Sequence, residues 1–271
     1  MPGFFIFTIK FFQFKKFFPE SMKNQIILLL SALVITFLTG YIESVTDADY
    51  PITGTFGING QKVSYKLDKT HFGDSPFEVM IISDVSGLNG YIRWRESGDW
   101  QLSKMNQKNN ILLGSISNLK PVSEIDYQVL LNKEDKNYTI PENQPVRLKI
   151  FGKIPSFVST LYILLLYAGL FLSIRTGLEV FNKGKDLKKY SFVQSAVLLL
   201  LALLISPLYI SYKLNAINHN VLPFLTMFDL RISLLSIASI LSAVIFFNSK
   251  INKVLPLVSS IIIILIFILL R

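Results

Sequence analysis

The chain of 271 residues contains no cysteine, which rules out disulfides, thiol catalysis and a cysteine-linked lipid anchor. It has only two histidines, His71 and His219, leaving little room for a histidine-based metal centre. There is also no phosphate-binding glycine loop, no nucleophile elbow and no pair of carboxylates spaced for acid–base work. No metal and no cofactor is therefore expected, and enzymatic activity is the less favoured reading.

Charge is missing from long runs. Five apolar stretches, at about 25–42, 156–174, 191–212, 224–247 and 254–270, are each read as long enough to cross a bilayer core, which needs about 20 apolar residues. With 51% apolar residues and a mean hydropathy of +0.47, the chain is too hydrophobic for an ordinary soluble domain. The formal charge of +9 does not point to nucleic acid, because many of the lysines border apolar stretches. Lys10, Lys15, Lys16 and Lys23 precede the first, Lys183, Lys185, Lys188 and Lys189 lie between the second and third, and Lys250 and Lys253 precede the last. That bias predicts a cytoplasmic N-terminus, an extracytoplasmic block at 43–155 and an extracytoplasmic C-terminus in a bacterial inner membrane.

Residues 1–21 form a Phe- and Lys-rich extension that could lie along a membrane surface. The alternative is that Met22 is the true start. Met22-Lys23-Asn24-Gln25 before Ile26-Ile27-Leu28-Leu29-Leu30 resembles an export signal, and no small-x-small cleavage site follows. An uncleaved signal anchor at 22–42 is expected, then the outer domain at 43–155 and four helices within 156–271.

In the polar block the apolar period becomes two. Val63, Tyr65 and Leu67 share a strand face, as do Phe77, Val79 and Ile81. Ile92 and Trp94 alternate with Arg93 and Arg95. Ile125, Tyr127, Val129 and Leu131 form the clearest run, and Val146, Leu148 and Ile150 the last. Turn signals such as Asn59-Gly60, Ser97-Gly98-Asp99 and Lys108-Asn109-Asn110 separate them. Seven to nine short strands predict an antiparallel β-sandwich, so the fold class is a membrane α-helical bundle of five spans plus that sandwich.

The segment Tyr91-Ile92-Arg93-Trp94-Arg95, with Trp100, Met105, residues 112–116 and residues 124–131, resembles fibronectin type III-like and related immunoglobulin-like sandwiches. The whole chain resembles a group of uncharacterised bacterial inner-membrane proteins with an anchor, such a sandwich and four helices. Arg175-Thr176-Gly177-Leu178-Glu179 and Pro223-Phe224 with Asp229-Leu230 carry that resemblance, which implies no activity.

Asp229 and Arg231 fall within or just at the edge of an apolar run, where an ionisable group suggests function by default. They stand two apart, share no helix face and each need a partner elsewhere. Anchoring is the simpler reading, with a ligand or coupling role as the alternative. Arg175 and Glu179 stand four apart at a helix end and read as a surface pair serving topology. His219 is a loop histidine, and His71 with Asp74 would make at most a weak cation site. Trp94 and Trp100 read as packing or, alternatively, ligand stacking, and Pro207 is a kink in the third span. The expected function is non-enzymatic. An outer-face sandwich binds a partner protein or envelope ligand within a membrane complex, and the partners are the lipid bilayer and other membrane or envelope proteins. A small transporter or channel subunit is the alternative, and an enzyme acting on lipid or glycan comes third.

Overall fold

In a computed structural model describing residues 20–134, 136–182, 186–216, 228–248 and 254–270, the uncharged runs are helices and the alternating block forms two sheets. The chain divides into two units. One comprises Met1–Glu43, Leu161–Leu204 and Asp229–Arg271, and the other Ser44–Thr160 and Ile205–Phe228.

The first unit is helical. It contains most of α1 (Glu20–Val45) and α2 (Ser156–Leu178), a 3-10 turn at Glu179–Asn182, and α3 (Leu187–Leu200). After α4 (Ser206–Lys213), which belongs to the other unit, come α5 (Leu230–Asn248) and α6 (Leu255–Leu269). Among the described residues, four stretches are long and apolar enough to cross a membrane: Lys23–Val45, Ser156–Asn182, Leu187–Lys213 and Leu230–Phe247. They mark a membrane protein. The fifth expected span is α6, whose 15 residues rise only about 22 Å, less than the roughly 30 Å hydrocarbon layer. The expected fourth span began at 224, but α5 starts at Leu230 because Asp229 supplies its cap.

Helix α1 buries a narrow face of Leu28, Ala32, Thr36, Thr39 and Gly40, mostly four residues apart. Small residues let a second helix approach closely. A Cβ on Gly40 would lie 2.6 Å from the Tyr167 ring of α2. Thr36 and Thr39 donate their hydroxyls to Ala32 and Ile35 carbonyls at 2.7 and 2.8 Å, so neither needs water. Between α3 and α4 the backbone makes a π turn at Leu201–Ile205, immediately before Pro207. Proline offers no N–H and its ring collides with the carbonyl four residues back, so the widened turn absorbs what would otherwise be a sharp break.

Among its described residues the second unit holds eleven strands. The first sheet has the order β1-β2-β4-β8-β7, built from β1 (Ile52–Ile58), β2 (Gln61–Leu67), β4 (Phe77–Ser83), β8 (Ile111–Ile116) and β7 (Asn106–Lys108). The second runs β3-β11-β9-β5-β6: β3 (Thr70–Phe72), β11 (Val146–Phe151), β9 (Ser123–Lys133), β5 (Asn89–Arg95) and β6 (Gln101–Lys104). The hairpin strand β10 (Lys136–Ile140) pairs with β9. Asn59 and Gly60 both take positive φ, 50° and 79°, as the two-residue hairpin between β1 and β2 requires. The expected inward residues from Val63 to Ile150 are buried in one core that draws on both sheets, except Tyr65 and Trp94, which pack against it partly buried.

Two expectations are corrected. Among the described residues the strands number eleven rather than seven to nine, because three-residue strands such as β3 and β7 are too short to show a period. The second sheet is also mixed, since β3 pairs in parallel with β11 (Thr70 opposite Lys149, Phe72 opposite Phe151). At the other end of β11, the Gly152 N–H donates to the Lys213 carbonyl of α4 at 2.8 Å, and Lys213 Nζ sits 4.4 Å from the Phe151 ring centre.

Tyr127 lies at the heart of this core, fully buried, and its hydroxyl donates to the Asp68 carbonyl at 2.8 Å. Burial, and then the Asp68 charge, push the phenol pKa upward from its usual 10.0. The fold therefore favours the neutral phenol. This stabilisation is complete below about pH 10 and is lost above it, where the unfolded chain ionises first. Tyr127→Phe should lower the stability of this unit by about 1 kcal/mol at neutral pH, or about 3–5 °C in melting temperature for a domain of this size. The gap between wild type and variant should narrow above pH 10, as followed by circular dichroism of the full chain in detergent. A gap that widens with alkali would refute the assignment.

Candidate functional site

Charged groups in the helical unit gather at the two ends of the spans. No Asp, Glu, Lys or Arg occurs within 24–42, 154–174, 190–212 or 232–249.

At one end, Asp229 caps α5. Its Oδ1 accepts the Arg231 N–H at 2.8 Å and the Ile232 N–H at 3.3 Å, as Asp does for orphan donors at a helix start. Arg231 Nη1 donates to Glu43 Oε1 of α1 at 3.1 Å, and the guanidinium carbon lies 4.2 Å from the Phe267 ring centre of α6. Its Nε and Nη2 are buried without a hydrogen-bond partner. The two residues thus act through separate partners, Asp229 through backbone and Arg231 through a carboxylate on α1, four helices earlier in sequence.

At the other end, the expectation of a surface pair fails. Arg175 and Glu179 side chains are 1% and 0% exposed, with Nη1 2.6 Å from Oε1. Neither of those two atoms has a well-directed hydrogen bond, so the contact is an ion pair off the N–H axis. The Arg175 Nη2 donates to Gln25 of α1, whose own Nε2 donates to Asp186 at 3.1 Å. Asn182 Nδ2 donates to Glu179 Oε2 at 3.2 Å, and the Tyr190 ring lies 4.5 Å from the guanidinium. The 3-10 turn after α2 tucks Glu179 inward, which spacing alone does not reveal. Gln25 went unnoticed in the sequence because a neutral amide beside an apolar run resembles ordinary flank.

Between the ends, the helices meet through hydroxyls and small residues. Ser195 Oγ lies 2.9 Å from Ser239 Oγ, Ser242 pairs with Ser259, and Gln194 donates to Ser173 at 3.3 Å. A Cβ on Gly169 would strike Leu198, and one on Gly177 would strike Ser260.

The β unit presents two outward faces. On the first sheet, Met80 opposes Leu113 and Ile82 opposes Ile111, giving a square of four exposed aliphatic side chains across β4 and β8. On the second, the outward Arg93 and Arg95 flank inward, fully buried Ile92 and half-buried Trp94. Trp94 packs on the core, whereas the Trp100 ring lies 4.8 Å from the Arg93 guanidinium and 4.6 Å from that of Arg95. His71 Nε2 is 2.7 Å from the Ser75 carbonyl oxygen, and its ring meets Phe77 edge-on. Among the described residues no group of three or more His, Asp and Glu could hold a metal. His219, Pro223 and Phe224 lie outside the described residues.

No family model matches the chain, and no curated protein matches it.

Removing one member of a buried ion pair strands the other and typically costs about 3–5 kcal/mol, whereas replacing both with apolar residues is often neutral. Glu179→Gln should therefore destabilise the helical unit markedly. Arg175→Met combined with Glu179→Leu should recover most of the loss in unfolding assays in detergent micelles. A Glu179→Gln protein as stable as wild type would mean that the pair is solvated.

Proposed function

We propose that this is a non-enzymatic protein of a bacterial inner membrane, whose helices anchor a β-sandwich on the outer face, and that the sandwich binds a partner protein within a membrane complex. The observation that carries the reading is the placement of charge in the helical unit. Every described cluster sits at a helix end, while serine, glycine and aliphatic contacts fill the spans. A conduit would need polar groups at mid-depth. The aliphatic square on the first sheet supports docking of a macromolecule, because contiguous exposed apolar surface favours interfaces. One observation favours the transporter reading: Arg231–Glu43 and Arg175–Gln25 join different helices. Both joints lie at ends, which suits bracing better than passage.

The same joints support a retained α1. Its removal would leave Arg175 and Arg231 without Gln25 and Glu43, so the mature protein should keep residues 25–45, as intact mass measurement would show. Because the chain has no cysteine, single cysteines report topology cleanly. Ser97→Cys should react with an impermeant maleimide in intact cells and Lys188→Cys should not; the reverse pattern would overturn the orientation. A photo-crosslinker at Ile82 should give a discrete protein adduct. Liposomes carrying the protein should pass no ions, and flux abolished by Glu43→Gln would replace the binding reading with the transporter one.

A further inference from the structure

Residues 44–160, which hold all the described strands, carry thirteen basic and thirteen acidic side chains, so this stretch has no net charge with which to attract a partner. Any electrostatic recognition must be local. The second sheet has one place where charge is left uncompensated and held still.

Three arginines stand on its outward face. Arg95 lies 3.5 Å from Asp126, and Arg147 lies 3.9 Å from Asp126 and 3.8 Å from Glu124, so these two share two carboxylates. Arg93 instead donates from Nε and Nη2 to the side-chain oxygen of Gln128, a neutral group. Gln128 is itself buried and donates to the Pro141 carbonyl at 3.1 Å. The guanidinium of Arg93 is thus fixed by an amide, retains its full charge and keeps Nη1 outside the Gln128 contact. Trp100 covers it and Arg95 together. Directly across the strand pair, Leu102 opposes Arg93 and is 66% exposed, while Tyr91 opposes Lys104 on the same side.

We propose that Arg93, with Trp100 and Arg95, receives a carboxylate from an acidic segment of a partner protein, and that Leu102 and Tyr91 receive the apolar side chain beside that carboxylate. The inference rests on the sandwich being the partner-binding part and names the chemistry that it reads. A planar guanidinium held in place binds a carboxylate through directed N–H groups with little entropy left to lose. The apolar side chains of Leu102 and Tyr91 distinguish this place from a bare anion site and select a peptide over phosphate. Asp126 neutralises part of Arg95, so Arg93 is the principal donor.

The chain has two tryptophans, which makes Trp100 its own reporter. In the full-length Trp94→Phe protein in detergent, a synthetic hexapeptide of alternating leucine and glutamate should change Trp100 emission saturably. The same peptide with glutamine for glutamate should not. Arg93→Gln should weaken binding about tenfold or more, the loss of one charge-assisted contact. Arg147→Gln, on the same face but outside the cluster, should leave the midpoint unchanged. The proposal is overturned by no saturable change, by equal binding of the glutamine peptide, by equal losses in both arginine variants, or by inorganic phosphate saturating the signal over the same range. Such a failure leaves the partner-binding reading standing, since the Ile82 adduct tests that separately.

Discussion

A guanidinium inside an apolar helical unit must bring its own partners, because no water is available there to solvate it. Arg175 and Arg231 both answer this constraint through α1, one using Gln25 and the other Glu43. Those two positions are 18 residues apart, or about 27 Å along a helix, close to the thickness of a hydrocarbon layer. The first helix therefore works as a gauge, with a polar fastening at each end and a stripe of small residues between. Ala32, Thr36 and Gly40 bring it close enough for the fastenings to reach. Each arginine also lies over an aromatic ring, Tyr190 or Phe267, which takes up the part of the cation that the carboxylate leaves bare.

The elements governed by period were legible in the sequence. Alternation placed Val63 through Ile150 inside the β unit, and absence of charge placed the helices. What escaped was whatever depends on approach between distant segments. The Arg175–Glu179 spacing looked like a solvated pair because helical spacing says nothing about which neighbours cover it. Leu187, Ser191 and Gln194 lie on the buried side of α3, and Tyr190 beside them closes over Arg175. Likewise the alternation along β9 does not distinguish Gln128, although its burial and its hold on Arg93 define that face of the sheet. Short strands were missed for a simpler reason: β3 owes its pairing to the edge of β11, and three residues have no periodicity to detect.

The two units use charge in opposite ways. In the helical unit ionic groups are buried and act between helices, where a pair contributes position more than stability. In the β unit they stand on the outward face of a sheet, where each exposed ion pair is worth at most about 1 kcal/mol. A network there is a poor source of stability, and the core of Tyr127, Val129, Leu131 and their neighbours already provides it. The run from Arg95 through Asp126 to Arg147 is better understood as balancing charge on that face.

Charge balance separates Arg93 from its neighbours. Were its partner a carboxylate, as for Arg95, the site would be self-neutralised, and an incoming anion would have to displace an internal one. A buried glutamine avoids that competition: its oxygen fixes the guanidinium, its nitrogen is consumed by the Pro141 carbonyl, and no negative charge is introduced. Exchanging Gln128 for Glu would conserve shape almost entirely while filling the vacancy in charge. It is the absence of that single charge, in a domain whose acids and bases otherwise balance, that gives this face something to offer a partner.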